Sequence, residues 1–339
     1  MPRLPTSVRC RYDITILWLG NWGRMTLRTA WVAAAASISM IAVSATPVDA
    51  QFGILGGLAK KAGISMLSLR KEPISTSLAD ARWGDPSQDS FVPRMAKREL
   101  SGLQHTPNGG FVLQPGYFSF NGQSYCLHAG THGPGKGDGY LYGPTLGAAK
   151  DAVITIVRNS VQHPEIDQHT IQALLWAILS RAKIEDLSSE QKIAAAQLLP
   201  PRQLAGLNRG VFDMLTTGLI ADNLPREVRA VMQAEADLRR MLVTPGTSYG
   251  ELERVAVLAG MAPLGEGSIG VPTGRWSHHP DGYWIRYLPN SYSNTVVEIW
   301  VPTDSPGIGK VYDPATHIAV PGNTSRQRLI QSGRAYAHS

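Results

Sequence analysis

From Leu146 to Ala259 the chain is patterned for helices, and strand-type patterning lies on both sides of that block. Helix and strand formers segregated this way point to an α+β fold. The helical block starts and stops with recognisable signals. Asp167 is a candidate N-cap for a helix reaching about Ala182, in which Ile171, Leu174, Leu175, Ile178, Leu179 and Ala182 recur at helical spacing. Ser188 and Gln191 have capping-box spacing, as do Ser248 and Glu251, and Pro225 suits the first position of a helix ending near Leu242. Further helices are expected over Leu146–Ser160 and Arg202–Thr217.

The strand patterns flank this block. Before it, Phe111, Leu113, Tyr117 and Phe120 lead to Asn121-Gly122, which predicts a hairpin between FSF and QSYCLHA. After it, a composition shift over Ala262–Pro272 marks a boundary. GYWIRYL and TVVEIWV then read as two strands joined by PNSYSN, and the tail beyond Asp313 reads as irregular with one short strand. The expected organisation is a β-hairpin region packed with a multi-helix block over 110–261, followed by a small antiparallel β-module over 262–339. Trp276, Tyr283, Trp284, Tyr287, Tyr292 and Trp300 crowd that module; such aromatics build the core of a small domain or make a stacking face for a ligand.

Residues 1–50 read as a signal peptide, with Arg24 and Arg28 ahead of the apolar run Ala30–Ala45 and small residues at Val48 and Ala50. Met25 opens a more conventional leader than Met1. Cleavage near Ala50 implies an exported protein, periplasmic, surface-held or secreted, with no membrane span left after cleavage. Residues 51–109 read as a loop-rich arm, with a helical turn or two over Arg94–Leu103. The formal net charge is +6 for the whole chain, and five of the Lys/Arg against two of the Asp/Glu lie in the leader. The remaining basic residues are scattered among acids with no Lys/Arg block, which excludes a nucleic-acid surface.

There are two cysteines, Cys10 and Cys126. Loss of the leader leaves Cys126 alone, so no intrachain disulfide is possible, and an exported chain with one thiol suggests a reactive group, intermolecular pairing or an inert buried thiol. In the strand pattern Ser124, Cys126 and His128 share a face. The following AGTHGPGKGDGYLYGP excludes regular structure. Gln172 lies among Leu175, Trp176 and Leu179 on its helix, an amide beside a core stripe that needs a partner.

Tyr125-Cys126 on a strand, a Gly/Pro-rich loop, and Gln172-Ala-Leu-Leu-Trp176 on a helix together resemble the thioester domains of bacterial surface adhesins. The resemblance covers about residues 110–181. It implies that the Cys126 thiol and the Gln172 amide condense, with loss of ammonia, into an internal thioester that captures an amine or hydroxyl nucleophile on a surface protein or glycan. Tyr125 and Trp176 would pack around the bond, and His128 or His169 would move protons. No cofactor or metal enters this reading, and it is not that of a turnover enzyme.

Two other classes stand beside it. A secreted cysteine hydrolase or acyltransferase would use Cys126 as nucleophile, a base among His128, His132, His163 and His169, and Asp138 or Asp167 to orient it. A non-catalytic envelope binding protein would simply bury the thiol. Zinc held by Cys126, His128 and His132 matches no standard spacing. The sequence leaves the target and the oligomeric state open.

Overall fold

In a computed structural model, residues 72–75, 77–209 and 226–337 are described. The expected leader, residues 51–71 of the arm and part of the Arg202–Thr217 helix lie outside them. In chain order the strands and helices are β1 (Lys97–Glu99), β2 (Phe111–Val112), β3 (Gly116–Cys126), β4 (Thr131–His132) and β5 (Tyr140–Pro144); α1 (Lys150–Asn159), α2 (Gln168–Leu179), α3 (Ser189–Leu198), α4 (Pro201–Arg209), α5 (Arg226–Leu242) and α6 (Tyr249–Ala256); then β6 (Val257–Leu258), β7 (Ser277–His278), β8 (Trp284–Pro289), β9 (Asn294–Val301), β10 (Val311–Tyr312), β11 (His317–Pro321) and β12 (Leu329–Ala335). Helices and antiparallel sheet together make this an α+β protein.

The main sheet has the order β5-β11-β12-β3-β9-β8-β7, with β1 added parallel to β3. The sheet curls until its terminal strands approach each other, and the Tyr142 amide on β5 donates to Ser277 Oγ on β7 at 3.0 Å. The curl encloses an aromatic core that includes Phe111, Phe118, Tyr142, Tyr283, Tyr287 and Tyr312. A second core joins the helices to the sheet through Val153, Ile156, Leu174, Trp176, Leu238 and Ile330.

Helix α2 is central to the second core. Asp167 caps it as expected, accepting from the His169 and Thr170 amides at 2.8 and 3.0 Å. Every residue from Ile171 to Leu179 is buried, so the helix is enclosed on all sides and not only along one stripe. At about 1.5–3 kcal/mol for each large apolar side chain buried, this one helix contributes a large share of the stabilisation. The capping box at α6 also forms, with the Ser248 amide donating to Glu251 Oε2 at 2.8 Å.

Several expectations are corrected. Asn121-Gly122 is not a hairpin turn: β3 runs straight through it, pairing Asn121 with Val296, and Gly122 with Thr295 on one edge and Ala335 on the other. Glycine is there for close approach, since a Cβ would stand 2.7 Å from the Phe120 ring and 3.3 Å from Ser332 O. The strands after residue 262 do not make a module of their own. Strand β9 pairs with β3 along Gly116–Gln123, while β11 pairs with β5, so the C-terminal strands complete the sheet that the first strands begin. In the tail β11 is the one short strand expected and β12 follows it, while over Arg94–Leu103 the strand Lys97–Glu99 precedes a single helical turn at Leu100–Gly102. Tyr283 and Tyr287 are buried in the aromatic core, whereas Trp284 and Trp300 lie half-buried on the sheet's other face, stacked at 6.1 Å, and on that face Trp276 is buried against Tyr117 and Arg286.

Candidate functional site

Cys126 is the last residue of β3, at a place where the sheet changes partners. Strand β9 leaves β3 after the Gln123–Asn294 pair, while β12 continues alongside, with the Leu127 amide donating to Arg328 O at 2.8 Å. The edge vacated by β9 would leave Ser124 O, Cys126 N and Cys126 O without partners inside the protein. Buried main-chain groups left this way are costly, and α2 supplies what is missing. Gln168 Nε2 donates to Ser124 O at 3.0 Å, and one turn later Gln172 accepts from Cys126 N at 2.7 Å and donates to Cys126 O at 3.0 Å. The match is geometric. Four residues of helix rise about 6.0 Å and two residues of strand about 6.6 Å, so amides at i and i+4 meet alternate residues of the strand.

This arrangement relocates Gln172 from its expected role. Both ends of its carboxamide are engaged with the Cys126 main chain, not with the thiol. The side chain in direct contact with Cys126 Sγ is Gln327, whose Oε1 accepts from the thiol. Gln327 sits just before β12, and its nitrogen is held by two main-chain acceptors, Thr131 O at 2.8 Å and Ala256 O at 2.9 Å. The carboxamide is thereby oriented with its oxygen toward the sulfur. Trp176 Nε1 reaches Sγ from α2 at 3.5 Å, and His128 O lies 3.3 Å away. Cys126 and Gln327 are both fully buried.

Burial sets the electrostatics. It pushes the Cys126 thiol up to about 12, against the opposing pull of the Trp176 N–H and the Arg328 charge. The thiol is therefore neutral at physiological pH. Burial and the nearby Arg328 charge lower His128 to about 3, so it too is neutral. Strand β3 ends before His128, and the part of that residue facing the sulfur is its carbonyl, not its ring. His169 is exposed and stacks on Tyr249 at 4.0 Å; Tyr249 stacks on Trp176 at 5.5 Å. His169 thus reaches the sulfur only through two intervening rings. The Trp176 ring N–H faces the thiol, whereas the Tyr125 hydroxyl donates to Gln123 Oε1 at 3.1 Å.

No family model, curated protein or solved structure matches the chain.

Of the groups a cysteine hydrolase would need, His132 has a buried Nδ1 with no hydrogen-bond partner among the described residues, and three others are engaged elsewhere. Asp138 binds the Gly135 amide and Arg326, Asp167 caps α2, and His163 pairs with Glu165. Among the described residues, no group of three or more His, Cys, Asp or Glu could hold a metal. No described helix is long and apolar enough to cross a membrane. The sequence reading missed Gln327. The available signal was slight: an amide opening the strand-period run Leu329-Ile330-Gln331-Ser332, in a tail judged irregular.

Proposed function

We propose that this is an exported protein carrying an internal thioester between Cys126 and Gln327, and that it acts by covalent capture of a nucleophile at a surface. The observation that carries the reading is the direct contact of a buried thiol with the oxygen of an oriented carboxamide. In bond formation Sγ attacks the Gln327 carboxamide carbon and the C–N bond breaks. The thiol proton goes to the departing nitrogen, which leaves as ammonia. The thiol already donates to Gln327 Oε1, so its proton is handed to that oxygen as sulfur attacks and passes from there to the departing nitrogen. Burial keeps water from the product, and the Trp176 N–H is placed to stabilise developing charge on sulfur when the bond is opened.

The expected role of Gln172 as acyl donor is replaced by a positioning role, holding the Cys126 main chain. Intact-mass spectrometry of the purified protein tests the reading. A mass short by one ammonia, restored to the full value in Cys126→Ala and in Gln327→Ala, is the expected result. Full mass with one thiol that titrates on unfolding would overturn it and leave Cys126 as an inert core residue.

A further inference from the structure

When ammonia leaves Gln327, Thr131 O and Ala256 O lose the donor that held them. Both residues are buried, Thr131 at 2 % and Ala256 at 0 % exposure, so water does not readily replace it. Ala256 O keeps one other donor, the Gly130 amide at 2.9 Å. The result is a nitrogen-shaped position beside the acyl carbon, bounded by two acceptors and offering no donor of its own from these two carbonyls.

We propose that these two carbonyls form a nucleophile subsite that selects ammonia and primary amines over secondary amines and alcohols. The inference rests on the Cys126–Gln327 thioester. Its chemistry follows from counting hydrogens. A primary amine attacks the thioester carbon, the C–S bond breaks, and one amine hydrogen passes to sulfur, regenerating the Cys126 thiol. The new amide nitrogen retains one N–H, which donates to one of the two carbonyls. Ammonia leaves two and restores the original glutamine. A secondary amine gives a tertiary amide with no N–H, and an alcohol gives an ester with none. In both cases the two acceptors stay buried without that donor. The approach to the product is penalised in the same order, since the attacking nitrogen of a primary amine carries two hydrogens and that of a secondary amine only one.

Ethylamine and dimethylamine are isomers, so they separate hydrogen count from atom count. The full chain is treated with each at equal free-base concentration, and adduct formation is followed by intact mass. The ratio of the two rates is compared with the same ratio on a simple alkyl thioester in solution. The expected ratio favours ethylamine by at least about tenfold more on the protein than on the reference, the worth of one buried hydrogen bond. Ammonium salts should return the protein to full mass. A protein ratio equal to the reference ratio overturns the subsite while leaving the thioester intact. Absence of ammonia loss in the untreated protein overturns both.

Discussion

Replacing Gln172 by glutamic acid tests the reading of α2 as a partner for the strand edge. The substitution is isosteric, and Gln172 is 1 % exposed, so packing is conserved. A carboxyl group can accept from Cys126 N and donate to Cys126 O only when protonated; ionised, it would face a carbonyl oxygen in a site without water. Its folded-state pKa must therefore lie above the unfolded value of about 4.3. For a group raised on folding, the contribution to stability is fully present below the unfolded pKa and is lost as pH rises toward the folded one. Each pH unit in that window costs about 1.4 kcal/mol. Relative to the native protein, Gln172→Glu should be less stable by about 1.6 kcal/mol at pH 5.5, and the deficit should grow at about 1.4 kcal/mol per unit until pH reaches the folded pKa, to at most about 4.4 kcal/mol at pH 7.5. Urea denaturation of both proteins at the two pH values measures this. Glutamine does not titrate, so the native protein's other titrations cancel in the difference. A deficit that is the same at both pH values would refute the donation from Gln172 to Cys126 O.

Other outcomes follow from the same geometry. Iodoacetamide should leave Cys126 unmodified in the folded protein, because its sulfur is fully buried and in the thioester carries no thiol, and prompt labelling measured by mass before any nucleophile is added would sink that picture. Ser277→Ala removes the acceptor of the Tyr142 amide where the sheet ends meet, and should lower unfolding free energy by about 1–3 kcal/mol without altering the mass of the site. His128 and His317 are held near 3 by burial, so their contribution is present above about pH 6.5 and lost as pH falls. Glu72 and Glu235 are pushed up to about 7 by burial, and their contribution is present at low pH and lost as pH rises from about 4.5 to 7. His279, lowered by burial to about 4, loses its contribution over the same fall in pH, so three histidines act against two carboxyls: the net loss is about 1.4 kcal/mol per unit between about pH 6.5 and 4.5, and below that the histidine losses alone remain, at about 1.4 kcal/mol per unit for each. Stability measured against pH should thus be shallow over the first range and steep below it.

The sequence was most legible where local chemistry alone decides structure. Asp167, Ser188 and Ser248 cap their helices as read, because a side chain bonding an amide two or three residues on needs nothing from the rest of the fold. The strands over Trp284–Pro289 and Asn294–Val301 were legible for a similar reason, their side chains alternating at period two. What was not legible is long-range. Asn121-Gly122 is a hairpin signal only if the flanking strands fold onto each other, and here β9 and β12, supplied by residues almost two hundred positions later, take both edges first. The same non-locality hid the shared sheet, which no composition shift near residue 262 could reveal.

The candidate site divides along this line. Two glutamines touch Cys126, both buried and both offering the same carboxamide, so residue type cannot distinguish them. The surrounding main chain does. Gln172 approaches along the strand edge that β9 abandons, where an N–H and a C=O both need partners, and its two ends are taken up by them. Gln327 lies just before the start of β12, where Thr131 O and Ala256 O can bind only its nitrogen, which leaves its oxygen toward the thiol. Helical spacing from Trp176 made Gln172 visible in the sequence. The proposed chemistry is assigned to Gln327 because its carboxamide, and not that of Gln172, meets the thiol, and the paired strands β3 and β12 bring it there.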